Sequence, residues 1–171
     1  MVEGRDDGFL RRLCFDAEAG SLLDGPVRYL LLRDDTLMGM FARLEGAARA
    51  EALDALAFST AAAAAHSFAR YRAEREMTDE EFLTQIETMA PELGWGRLRF
   101  ARTEAGLALT VENSPYVSGI DAVTPGIDQP VCAPIRGIFQ AIADSVLGRP
   151  ARIRETSCAA QGGDSCRFDA A

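Results

Sequence analysis

A chain of 171 residues with 48% hydrophobic and 26% charged side chains is long enough for one domain with its own core and too apolar to be disordered. Its net charge of -8, with a pI near 4.7, repels phosphate backbones and anionic bilayers, which argues against nucleic-acid and membrane partners. The first residues, MVEGRDDGFLRRLCF, lack the apolar core of a signal peptide, and no stretch reaches the roughly 18 apolar residues of a membrane span. A cytoplasmic location with reduced thiols is therefore expected.

No repeat or linker divides the chain, so a single domain over residues 1–171 is expected, with residues 1–20 as a loosely ordered arm. Leu13 to Phe15 and Ser21 to Leu23 can pair around the turn at Asp16 to Gly20. Val27 to Arg33, after Gly25-Pro26, reads as a strand. Leu37, Met40, Phe41 and Leu44 then repeat at helical spacing, with Gly46 as the expected stop. A longer helix is expected from Arg49 to Arg75; its run Ala61 to Ala65 leaves room for a packed helix or a ligand to come close. Thr78-Asp-Glu-Glu81 is a capping box ahead of an apolar face of Phe82, Ile86, Met89 and Leu93, ended by Pro91 and Gly94.

The period then changes to alternation. Arg97 to Ala101 and Leu107 to Val111, joined at Glu104-Ala-Gly106, read as a hairpin. The stretch from Asn113-Ser-Pro115 to Pro130 is expected to be irregular. Ala133 to Leu147 is a helix with Ile135, Ile138, Phe139, Ile142 and Val146 inward, stopped by Gly148 and Pro150. Ala151 to Cys158 and Cys166 to Ala170 are two last strands around a Gly-rich turn, with Arg152 and Arg154 on the solvated face.

Three of the four cysteines, Cys132, Cys158 and Cys166, lie in the last 40 residues. The final hairpin can bring Cys158 and Cys166 together, and Cys132 stands where a helix dipole favours a thiolate. Zinc takes four ligands from thiolate, imidazole and carboxylate. The fourth ligand is Glu155, with Asp164, Glu112 or water in reserve. Glu155 and Cys158 are three apart, so they can share an ion only if the strand bulges or ends between them. Two other readings stand beside zinc: buried thiols acting as small hydrophobes, and a Cys158–Cys166 disulfide. Cys14 reads as a bystander thiol.

Gly94-Trp-Gly96, Glu112-Asn-Ser-Pro115, Pro130-Val-Cys132-Ala-Pro-Ile-Arg-Gly137, Glu155-Thr-Ser-Cys158 and Cys166-Arg-Phe168 together resemble the 4-vinyl reductase domain family over residues 22 to 170. The resemblance implies an α+β fold, an antiparallel sheet packed against helices, similar to some TRAPP-complex subunits and often a homodimer. In the phenol-responsive sensor members a structural zinc is held by three cysteines and a glutamate, positions that correspond to Cys132, Glu155, Cys158 and Cys166, with an effector in a nearby apolar pocket. A tryptophan and a histidine bind the phenolic hydroxyl there. Val111 or Glu112 stands nearest that tryptophan here, and His66 falls at a different spacing from the histidine, so phenol specificity is not implied. The family name comes from proteins of bacteriochlorophyll biosynthesis, but no nucleotide fingerprint or electron source is visible in this chain.

The expectation is a zinc-stabilised domain that binds a hydrophobic small molecule, aromatic or tetrapyrrole-like, rather than an enzyme, with any signal passed through a protein partner or a second copy. An accessory factor or reductase of tetrapyrrole metabolism and a dimeric adaptor are the alternatives. Phe58, Phe68, Phe82, Trp95 and Phe100 read as core. Because pockets use the same residue types, Phe58, His66, Phe82, Trp95, Leu109, Val111 and Ile153 are the candidate pocket lining. His66, the only histidine, reads first as a partly buried side chain and second as a general base. No nucleophile–base pair with a distinctive spacing is present.

Overall fold

The computed structural model describes residues 8–127 and 129–171, so the first seven residues of the expected arm lie outside the described ones. The fold begins with one helical turn, α1 (Phe9–Arg12), and three short strands, β1 (Cys14–Asp16), β2 (Ser21–Asp24) and β3 (Val27–Tyr29). The strands pair antiparallel in chain order, with Cys14 opposite Leu23 and Leu22 opposite Tyr29. The strand expected over Val27 to Arg33 stops at Tyr29. Residues 30–32 run on without secondary structure, and Leu30 and Leu31 are 81% and 84% exposed.

Three helices follow: α2 (Asp34–Ala42), α3 (Gly46–Arg75) and α4 (Asp79–Glu92). Gly46 does not close the first of these. The Arg49 guanidinium reaches back to the carbonyls of Phe41 and Leu44, which satisfies the end of α2, and Gly46, at φ +49, opens α3 instead. The capping box forms as expected: Glu81 N–H donates to Thr78 Oγ1 at 3.3 Å, and Thr78 N–H donates to Glu81 Oε2 at 2.9 Å.

The second sheet holds β4 (Arg97–Arg102), β5 (Leu107–Glu112), β6 (Ile153–Ser157) and β7 (Cys166–Ala170) in the order β4-β5-β7-β6, all antiparallel. Alternation sends Leu107, Leu109 and Val111 of β5 and Cys166, Phe168 and Ala170 of β7 to the buried face. Helix α4 lies beside edge strand β4, where Glu87 Oε1 accepts the Phe100 N–H at 2.7 Å.

Between the two hairpins lie α5 (Pro115–Val123) and α6 (Ala133–Leu147). The stretch after Pro115 is thus not irregular throughout. Pro115 starts α5 at a position where its missing N–H costs nothing. Gly119, which breaks the apolar pattern, lets α5 cross α2: a Cβ there would stand 2.6 Å from the Asp34 carbonyl oxygen. Gly137 plays the same part where α6 crosses α3, since a Cβ would collide with the Ala57 carbonyl oxygen. Helix α6 is therefore held between the sheet and α3. Its Phe139 rests 6.3 Å, ring to ring, from both Phe168 and Phe100.

Candidate metal centre and apolar pocket

Strand β6 pairs with β7 through Glu155 opposite Phe168, then skips a residue to put Ser157 opposite Arg167. Thr156 is the extra residue of a β-bulge. A regular strand would send Glu155 and Cys158 to opposite faces; the bulge, and the end of the strand at Ser157, turn both to one side. Cys158 leads into a single 3-10 turn (Ala159–Gln161), and the chain returns through Gly162 in the left-handed region to Cys166 at the start of β7. Cys132 occupies the N-cap position of α6.

These elements meet at one point. The Cys132 and Cys166 sulfurs are 3.3 Å apart, Cys158 stands 4.0 Å from Cys132 and 3.9 Å from Cys166, and a carboxylate oxygen of Glu155 completes a group whose ligand atoms all lie within 4.8 Å of one another. All three thiols are free and buried. Ser114 Oγ lies 3.3 Å from Cys132 Sγ, and the Ala159 N–H donates to Cys166 Sγ at 3.3 Å. Glu155 Oε1 is buried without a hydrogen-bond partner. An orphaned carboxylate oxygen facing three sulfurs is costly unless a cation satisfies it, and this donor set suits zinc. Of the reserve carboxylates, Glu112 pairs with Arg97 at 2.7 Å on the exposed side and Asp164 stands exposed in the turn.

The protons follow from the crowding. Hydrogen bonds with Cys158 and Cys166, then burial, push the Cys132 thiol far up, against the pull of its helix terminus. Hydrogen bonds from Cys132 and Cys158 hold Cys166 low, so the first thiolate forms there. Burial, then the Cys158 sulfur, raises Glu155 to about 8. A divalent cation reverses this order, because ligation replaces the shared protons.

A separate apolar pocket of about 250 Å³ opens between α3, α4 and β3. Ala63 and Ala64 of the alanine run form its floor, Ile86 and Met89 one wall, and Trp95 and Tyr29 its rim. Of the seven side chains expected to line a pocket, Trp95 alone lines this one. Phe82, Leu109 and Val111 are packed in the core, and Ile153 is half-buried on the sheet. Phe58 is 78% exposed, and His66, expected to be partly buried, is exposed as well. The inward face of α3 runs through Leu53, Ala57 and Phe68, and positions 58 and 66 fall outside that stripe. Tyr29, Tyr71 and Ser67, which no sequence pattern marks, also line the pocket. Burial raises the pKa of both tyrosines, so the wall stays uncharged.

Residues 107–171 match the 4-vinyl reductase domain. The phenol-responsive sensory domain of the transcription activator PoxR, solved with phenol, superposes with a TM-score of 0.77 at 20% identity, over 93% of this chain and 84% of that one. At this identity the likeness establishes the fold. A vinyl-4-reductase family protein from Methanocaldococcus jannaschii follows at TM-score 0.49 and 16% identity, over 80% of this chain and 74% of that one. A trafficking protein particle complex subunit 3 from Naegleria fowleri, covalently bound to palmitic acid, stands at 0.45 and 8%, over 79% and 92%. No curated protein matches the chain. Residues 107–171, which carry all four ligand-type side chains, belong to the 4-vinyl reductase domain family.

Proposed function

We propose that this chain is a sensory or carrier domain that binds an uncharged hydrophobic small molecule. The observation that carries the reading is the pocket beside Trp95, which has no charged side chain in its wall. Its volume of about 250 Å³ lies between the ~150 Å³ that accepts benzene and the ~300 Å³ where drug-sized pockets begin. A ligand of one or two rings, or a chain of equal bulk, fills it; a tetrapyrrole would protrude. The chain has a single tryptophan, so the pocket reports on itself. Titrating 2-naphthol should quench Trp95 emission. Ala64→Leu, which fills the floor, should weaken binding about tenfold, the loss expected when a buried apolar contact of ~1.4 kcal/mol is denied. Equal affinity in parent and variant would remove the pocket from consideration.

A zinc ion, held by Cys132, Glu155, Cys158 and Cys166, would supply charge neutralisation and a cross-link rather than catalysis. Elemental analysis should find about one zinc per chain in the parent and in Cys14→Ser, and none in Cys158→Ser. A parent purified folded and free of metal would reject the site. Homodimerisation belongs to the same proposal, supported by the exposed Leu30, Leu31 and Phe58; sedimentation equilibrium reads it directly.

A further inference from the structure

The pocket has one wall of a different kind. Its floor and sides come from α3, α4 and α6, all packed into the main core, but Val27 and Tyr29 come from the small sheet of residues 14–29. That sheet has strands of three or four residues and exposes all of β1, so it is too small to be stable alone. A short set of contacts docks it on the body. Phe9 is buried under Tyr29, with ring centroids 5.1 Å apart. The Leu10 N–H donates to Glu92 Oε2 at 3.2 Å. The best-buried contact is polar: Asp24, 7% exposed, accepts from the Tyr71 hydroxyl at 3.0 Å and from Arg12 at 3.2 Å. Tyr71 belongs to α3 and itself lines the pocket. The segment then joins α2 through residues 30–32, which are exposed and carry no secondary structure.

We infer that residues 8–29 form a strap over the pocket, hinged at residues 30–32 and latched by Asp24 between Tyr71 and Arg12, which opens to admit an uncharged apolar ligand and closes over it. The inference rests on the pocket reading of the preceding subsection. Segments with few buried contacts open below the global unfolding free energy, and a small docked sheet at the end of an extended hinge is such a segment. The latch has the right strength for a gate. One charge-assisted buried hydrogen bond is enough to keep the strap mostly closed without sealing it.

Stopped-flow mixing with 2-naphthol, read by Trp95 emission, tests the strap. Asp24→Asn and Arg12→Leu touch the latch but not the pocket wall. Both association and dissociation should accelerate about tenfold in each, the change expected for losing a hydrogen bond to a charged group. Trypsin cleavage at Arg28 should speed up in the same variants, and saturating 2-naphthol should slow it in the parent. Should either variant fail to fold by circular dichroism, Tyr71→Phe removes only the hydroxyl donated to Asp24 and should show the same acceleration. Binding with unchanged rates in the folded variants overturns the strap and leaves the pocket standing. A parent that does not bind 2-naphthol at all overturns both.

Discussion

Glu155 shows how much a single side chain can say. Its carboxylate is half-shut in the protein, one oxygen has no donor, and burial raises it to about 8. Left unligated, such a group destabilises the fold by desolvation. Glu155→Gln should therefore lower zinc affinity while changing the stability of the metal-free protein little or upward, which denaturant titration in the presence of a chelator would resolve. Asp79 behaves in the opposite way. Burial raises its pKa, but hydrogen bonds from Arg72 at 2.7 Å and Arg102 at 3.1 Å outweigh burial and hold it below the ordinary carboxylate range. A depressed folded-state pKa contributes stability that is complete above the unfolded value near ~4 and is lost as pH falls through the folded one. The urea midpoint of the parent should fall between about pH 5 and pH 3, and Asp79→Asn should flatten that fall while lowering the midpoint at neutral pH. The four ligands were legible in sequence because thiols and a carboxylate at those separations have few other uses together. Phe58 and His66 misled because residue type says nothing about which side of α3 a side chain faces.

At the scale of elements, periodicity located α3, α4, α6 and both hairpins, since each buries one clear face. Helix α5 escaped because its middle is Gly119, a residue that weakens a helix yet is required where the helix meets the α2 backbone. The bulge at Thr156 escaped for a related reason: nothing in Glu155-Thr-Ser-Cys158 marks which residue the ladder skips. Gly137 offers the sharper test of these crossings. Alanine would gain about 1 kcal/mol in helix propensity, but overpacking against the Ala57 carbonyl costs about 1–3 kcal/mol or more and should dominate. Gly137→Ala should lower the thermal midpoint by several degrees, whereas a helix-propensity effect alone would raise it.

For the molecule as a whole, the metal centre joins the start of α6 to the end of β6 and the start of β7, and these carry much of the core. Structural zinc in small peptides binds with about 10–16 kcal/mol of apparent free energy, against a total stability of about 5–15 kcal/mol for an ordinary domain. Even a fraction of that coupling makes the second half of the chain dependent on the ion. Chelation at neutral pH should lower the thermal midpoint and leave Trp95, which packs on Tyr116 at 5.7 Å, in a wetter environment; a red-shifted emission after chelation would show it. The fold class was readable because alternation and helical spacing divide cleanly along the chain. The position of the pocket was not, because it depends on small side chains, Ala63 and Ala64, leaving space that larger neighbours do not fill.

The sheet is closed to further growth on both flanks. On one side Glu87 occupies the Phe100 amide that an incoming strand would need; on the other, the bulge at Thr156 and the exposed Arg152 and Arg154 spoil the straight, uncharged rim that strand addition prefers. Crowded copies of this protein should therefore resist fibril formation through the native state, and the weak point is a single carboxylate: with Glu87 replaced by alanine, the β4 rim becomes a template for amyloid-type stacking.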